Sequence, residues 1–385
     1  MISKLRIFFA SDTGVTLVIA VAWQAIFTLL GLLTKPDPSG VPLFHTTQWD
    51  GAWYMDIIKY QYTFNPASPA FYPLFPLIVS TLSILTFHLI PFTIIGLFIN
   101  TVCLWLALKA LLLIAREFAP EKFRYLSILF FLAAPAAFFM HLFYTEALFV
   151  ALAFWAYILA LKQRWLFMGI LLGFLTASRL PSLLFIGLCG LEYLRAYGWN
   201  IKKAFNPNLA YFLLAPIGFT LYGLYLLTAH DNFFAMFHAY SATKDWVYQS
   251  FEPNFIHTLF RAAHEIYHAL KGARPFDNDM IVNHTIPLLC IGILFFSSLY
   301  LLFKYRNKGI PLGIFGLCSI VFFTLNNNLV SVHRYTLPCL TIYIALLAFY
   351  TKYHRLRIAV VVITLIMLAA QIELLSLQKH SYFVG

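Results

Sequence analysis

Apolar runs of close to 20 residues recur from residue 12 to residue 376. About 20 apolar residues are what an α-helix needs to cross ~30 Å of hydrocarbon. Nothing else in the sequence limits the fold as strongly. In lipid every backbone N–H and C=O must find a partner within the protein, so a chain built of such runs folds as a bundle of helices. Composition agrees. Of 385 residues 61% are hydrophobic and 11% charged, against about 25% charged in soluble domains. The sequence therefore predicts an all-α polytopic membrane protein, a single domain over 1–385. Spans are expected over 12–33, 92–115, 125–141, 146–161, 165–178, 181–194, 209–229, 285–303, 310–326, 335–350 and 357–376, eleven in all. A further apolar segment covers 70–90.

Charge decides how 70–90 is read. The net charge of +11 would suit nucleic acid, but the positive residues lie in short clusters between spans, as in cytoplasmic loops. "MISKLR", "REFAPEKFR", "KQR", "EYLRAYGWNIKK", "KYRNK" and "TKYHRLR" hold 16 of the 26 Lys and Arg. All six fall on one side only if 70–90 does not cross. That segment is expected to re-enter or to lie in the interface, and Pro73, Pro76 and Pro91 disfavour a straight span there. The outer face then carries a first loop, 34–91, a long loop, 230–284, and the segment after the last span. The N-terminus lacks a small-residue cleavage site, so the first span is expected to be retained. The five cysteines all lie in apolar runs without a CxxC pair. They read as small packing residues, with no disulfide.

Most side chains able to do chemistry fall on the predicted outer face. "TTQWDGAWYMDIIKYQYTFNPASPAFYPLFPL", Thr46 to Leu77, is the richest stretch. Thr46 or Thr47 can cap a helix starting at Gln48. Asp50, Trp53, Tyr54 and Ile57 then share one face, with the Trp and Tyr suited to the bilayer surface. Asp50 reads in two ways. Thr47-x-x-Asp50 resembles a capping box, and an acid in the first turn suits the helix dipole. Alternatively Asp50 is a general base, made more basic by a partly desolvated aromatic pocket. Asp56 falls on another face.

Other charges stand out for the same reason: ionisable groups inside an apolar chain are costly without a partner or a task. Glu146 opens a span at the outer face, as a helix N-terminal acid or as a site carboxylate. Arg179 either snorkels to the surface or grips a phosphate. His333 and Arg334 form a second phosphate candidate. "HEIYH", His264 to His268, matches a zinc-protease pattern. The helix around it also reads as interfacial: Ile256, Leu259, Phe260, Ala263, Ile266, Tyr267 and Leu270 on one face, and His257, Arg261, His264, His268 and Lys271 on the other. A catalytic zinc needs a third ligand. Glu252, Asp277, Asp279 or His284 could supply one, without a recognised spacing. "TKDW", Thr243 to Trp246, could touch an acceptor.

"WDGAWYMDIIKYQY" followed by "SPAFYPLFPL", then "AAPAAFFMHLFYTEALFVALAF", "GFLTASRLPSLL" and "VHRYTLP", resemble the GPI mannosyltransferase II (PIG-V-like) family of GT-C glycosyltransferases. The likeness is closest over residues 40–190 and looser beyond. It implies a polyprenyl- or dolichyl-phosphate-mannose donor, inverting transfer on the non-cytoplasmic face, and an acid in the first outer loop as base, which maps onto Asp50. It also implies that Glu146 is a second active-site carboxylate positioning the acceptor. Trp49, Trp53, Tyr54, Tyr144, Arg179, His333 and Arg334 are then substrate-binding. The chain is short for a eukaryotic member, and "SRLPSLL" lacks the Arg-Ser-Asn-Gly found there. Both departures point to a prokaryotic relative whose acceptor is not a GPI precursor.

The expectation is thus a multi-pass hexosyltransferase, in the plasma membrane if prokaryotic and in the endoplasmic reticulum if eukaryotic. It would use a polyprenyl-phosphate sugar as co-substrate, a glycolipid or glycan as acceptor, and no metal or other cofactor. A lipid or solute transporter would instead show paired inverted halves with broken helices at mid-depth. A membrane zinc metalloprotease would rest on HEIYH.

Overall fold

The computed structural model describes residues 11–33, 47–239, 250–380 and 382–384. Among them the chain forms helices and no sheet, with one isolated antiparallel bridge between Phe251 and Asn326. In chain order the helices that build the bundle begin with α1 (Asp12–Leu33), α2 (Asp50–Tyr60), α3 (Leu74–Leu85) and α4 (Phe92–Ala115). Next come α5 (Leu126–Leu132), α6 (Glu146–Leu161), α7 (Trp165–Thr176), α8 (Ser182–Ala196) and α9 (Ile217–His230). The last are α10 (Phe255–Leu270), α11 (Ile286–Thr324), α12 (Val332–Thr336), α13 (Leu340–Lys352) and α14 (Arg357–Lys379). Five stretches are long and apolar enough to cross a membrane: Asp12–Leu30, Phe92–Ala115, Pro207–His230, Asn278–Thr324 and His354–Lys379. Leu74–Leu85, Glu146–Leu161, Trp165–Thr176 and Leu340–Lys352 are apolar but shorter.

α11 is a hairpin of two limbs. Its helical geometry breaks at Arg306, with φ 36°, and the second limb folds back on the first. The approach is close enough that a Cβ on Gly316 would lie 2.1 Å from Ser298 Oγ. Small residues at such crossings let helices pack backbone to backbone in lipid.

The span expected over 125–141 is not a continuous helix. α5 stops at Leu132, Pro135 follows, and only a short 3-10 turn, Ala137–Met140, precedes α6. The carbonyls freed by the break are met by amide side chains from three other helices. Gln24 Nε2 donates to Met140 O (3.0 Å), Asn100 Nδ2 to Leu142 O (2.5 Å), and Gln371 Nε2 to Leu132 O (3.1 Å) and Ala134 O (2.8 Å). Non-helical backbone at membrane depth is tolerated when protein covers it in this way.

α3 has 12 residues, a rise of about 18 Å against the ~30 Å of a bilayer core. Phe143 packs edge-on against Phe75 at the start of α3 (5.1 Å between centroids), and also fills the space where Gly96, in the second turn of α4, would carry a Cβ. Phe143 thus ties the start of α3 to the first turns of α4.

Contacts tie several basic clusters into one end of the bundle. Arg116 and Arg124 both pair with Asp12 at the start of α1. Lys308 pairs with Glu117 (3.1 Å), Trp199 donates to Asn307 (2.6 Å), and Arg357 lies over Phe123. "MISKLR" lies outside the described residues. The opposite end carries the N-termini of α2 and α6, the α7–α8 turn and α12.

Candidate functional site

α2 begins at Asp50, two residues later than the sequence suggested. Trp49 occupies the cap position with φ 54°, and no side chain caps it. Thr47 therefore does not cap this helix, and Thr46 lies outside the described residues. Tertiary structure sets the start: Tyr144 donates its hydroxyl to Gln48 O (3.0 Å) and pins the chain there. On α2, Tyr54 and Ile57 are buried, and Trp53 stacks on Phe71 (5.2 Å, 12°). Tyr54 OH lies 3.4 Å from Thr145 Oγ1.

Asp50 points inward to an arginine 284 residues away. Arg334 NH2 donates to Asp50 Oδ2 at 2.7 Å. The same guanidinium donates to Glu146 Oε1 through Nε (3.0 Å) and NH2 (2.7 Å). Arg179 NH1 reaches the same oxygen at 2.5 Å. Two acids and two arginines thus form one balanced chain, Asp50–Arg334–Glu146–Arg179. Burial would strip charge from both guanidiniums, but Glu146, with Asp50 helping at Arg334, holds them above the usual arginine range. Aromatic faces cover the cations: Phe139 and Tyr144 lie against Arg334, and Tyr335 and Phe149 against Arg179. Such contacts strengthen as water is removed.

This chain of charges closes one wall of a cavity of about 520 Å³. Asp50, Arg179 and Arg334 face the cavity together with Trp49, Trp53 and Tyr54. Glu146, 2% exposed, lies behind them and serves as the shared anchor of both arginines. Tyr144 is likewise buried behind Arg334. His333 and Arg334 are neighbours in sequence but point apart. The His333 ring is fully buried, 2.5 Å from Val384 O, and burial lowers its pKa to about 3. It is a neutral imidazole turned away from the cavity. The remaining walls include Tyr72, Ser178, Tyr335, Phe323 and Phe383. Ser178 and Tyr335 adjoin the two arginines in sequence. Phe323 and Phe383 carried no signal among 40 phenylalanines.

HEIYH sits on α10, well apart in kind. His264 Nε2 and His268 Nε2 are 3.0 Å apart, and Glu265 pairs with Arg274. Among the described residues no group of three or more His, Cys, Asp or Glu converges. α10 packs on the protein through Thr258, Ala262 and Ala269 and leaves Ile256, Phe260, Tyr267 and Leu270 exposed. "TKDW" lies outside the described residues.

No protein-family model matches the chain, and no characterised protein matches it by sequence. Solved structures do match. The oligosaccharyltransferase of Archaeoglobus fulgidus in its apo form aligns over 97% of this chain with a TM-score of 0.53 and 14% identity. The chain shares the fold of the part of that enzyme it aligns with. The same archaeal enzyme tethered to an acceptor peptide with an NVT sequon aligns over 98% at TM-score 0.50 and 14% identity. The chain spans 56% of the length of that archaeal enzyme. At such identity the likeness concerns architecture, and the chemistry rests on the residues around the cavity.

Proposed function

We propose that this chain is an inverting membrane hexosyltransferase of GT-C type. It takes a sugar, mannose by the PIG-V-like resemblance, from a polyprenyl-phosphate donor and passes it to a glycolipid or glycan on the non-cytoplasmic face. One observation carries this reading: a carboxylate and two arginines meet on the wall of a cavity otherwise lined by aromatic rings. About 300–1,000 Å³ is the usual size of a small-ligand site, so 520 Å³ can hold a sugar and its phosphate while the prenyl chain runs along the apolar wall.

The residues divide the work. The Asp50 carboxylate takes the proton of an acceptor hydroxyl as that oxygen attacks the anomeric carbon. The bond between that carbon and the phosphate oxygen breaks, and the polyprenyl phosphate departs with the electron pair. Arg334 and Arg179 match the charge of the leaving phosphate. Without donor, Arg334 is shared between Asp50 and Glu146. An arriving phosphate offers it a third anionic partner, which loosens its hold on Asp50 and frees the base. Glu146 keeps both guanidiniums in place throughout. Trp49, Trp53 and Tyr54 shape the rim where lipid-borne substrates enter.

The topology that fits this reading has eleven crossings, with α11 contributing two and α3 none. Segments 34–91 and 230–284 then lie on the outer face, and α10 rests on the membrane surface through its exposed apolar side chains. A direct test supplies purified protein with polyprenyl-phosphate-mannose and a membrane glycolipid extract, followed by mass analysis. The expected product is an acceptor heavier by one hexose, formed with and without chelator. Intact donor and unchanged acceptor, across several polyprenyl-phosphate hexoses, would remove the proposal.

A further inference from the structure

We propose that residues 382–384 are a strap that positions the Asp50–Arg334 pair by docking on the residue that precedes each. The inference rests on the transferase reading and adds positioning residues to it. After α14 the chain turns back, with Tyr382 N–H donating to Leu377 O (3.0 Å). Phe383 lines the cavity and meets the Trp49 ring edge-on, 5.2 Å between centroids. Val384 is fully buried, and its carbonyl lies 2.5 Å from His333 Nε2. Trp49 immediately precedes Asp50, and His333 immediately precedes Arg334. Three residues therefore touch the aromatic ring that precedes each member of the 2.7 Å ion pair.

Two further features agree. φ is positive at Trp49 (54°), itself one docking point, and at Ser331 (64°), two residues before the other. Non-glycine residues keep that conformation where their surroundings over-determine it, and they cluster at functional sites. The His333–Val384 bond is also of one kind only. With its pKa lowered to about 3 by burial, the His333 imidazole carries a single N–H. A carbonyl oxygen only accepts, so the proton sits on Nε2, and Nδ1 is left buried without a partner among the described residues. A buried histidine held in that way is a donor to the strap rather than a group that titrates with substrate.

The strap is tested on the full chain in a Cys318→Ser background, since Cys318 is exposed and the other four cysteines are buried. Val384→Cys keeps the backbone carbonyl and places a thiol in the docked segment. Maleimide labelling is expected to be slow, and to speed up by about tenfold or more when His333→Leu removes the donor. Equal rates in both backgrounds overturn the docking. In transfer assays, His333→Leu and Phe383→Ala are each expected to lower kcat by about tenfold, because small misplacements of reacting groups cost rate. For His333→Leu, which lies outside the cavity, the donor KM should stay within about twofold, as expected when binding groups remain in place. His333→Gln, which still offers an N–H, should recover most of the lost kcat. Unchanged kcat in both variants, or a His333→Gln enzyme as slow as His333→Leu, overturns positioning. If the unaltered protein transfers no sugar, the transferase reading fails, and the labelling rates alone decide the strap.

Discussion

The two ends of the bundle are built from the same ingredients and use them differently. At the basic end, Asp12 accepts from Arg116, Arg124 and Tyr125, and the Asp12, Arg116 and Arg124 side chains are 21%, 41% and 12% exposed. At the site end, Asp50, Arg334, Glu146 and Arg179 form a similar acid–arginine chain, with Glu146 at 2% and Arg334 at 5%. Exposed pairs contribute about 0–1 kcal/mol, and they suit the fastening of loops. Buried pairs cost desolvation that their attraction only partly offsets, so an apolar core would serve stability as well. Four charges held together in such a place, beside a cavity, are what the proposed transferase would need.

Substitutions at the two ends test that contrast. The largest effect is expected for Asp50→Asn, which keeps size and removes basicity. Transfer should fall by about 10²-fold or more in a folded protein, while Asp56→Asn on another face of α2 leaves it near normal. Well-folded Asp50→Asn protein with ordinary turnover would falsify the assignment of the base. Next is Glu146→Gln, which leaves two buried guanidiniums without their shared anion. A loss of about 3–5 kcal/mol is expected, read from denaturant unfolding in detergent. The matching change at the other end, Asp12→Asn, should cost about 1 kcal/mol or less. Equal losses at both ends would erase the distinction drawn between them.

Arg179→Lys sharpens the comparison at smaller scale. It keeps the charge but loses the planar fork, so the donor KM should rise by about tenfold with a lesser change in kcat. An unaltered KM would move phosphate binding to Arg334 alone. The smallest effect is expected on α10. Replacing His264 and His268 together by alanine should change transfer by less than about twofold, since these side chains sit on a polar stripe of a surface helix. One bound zinc per chain, lost in that double variant together with activity, would count against the transferase proposal.

The charges were legible from sequence for an energetic reason. Asp50, Glu146, Arg179 and Arg334 lie in or beside apolar runs, where an ionisable group is expensive, so each stands out without any knowledge of its partners. The long apolar helices were legible by the same logic, because lipid leaves the backbone so few options. The caps and breaks were less so. Thr47 matched a capping pattern, yet a hydroxyl 96 residues away sets where α2 begins. The break at Pro135 could be suspected, but its tolerance depends on Gln24, Asn100 and Gln371.

By itself, then, the sequence determined the helical membrane class, the placement of most apolar segments and the identity of the scarce charges. These follow from local hydropathy and the cost of burying charge, which each stretch carries alone. Only the tertiary structure decided which charges meet, that Arg334 turns to the cavity while His333 turns away, that Glu146 stands behind both arginines, and that Phe383 closes the wall. Those depend on contacts between segments far apart in sequence, 284 residues for Asp50 and Arg334, and no local pattern specifies which face of one helix meets another.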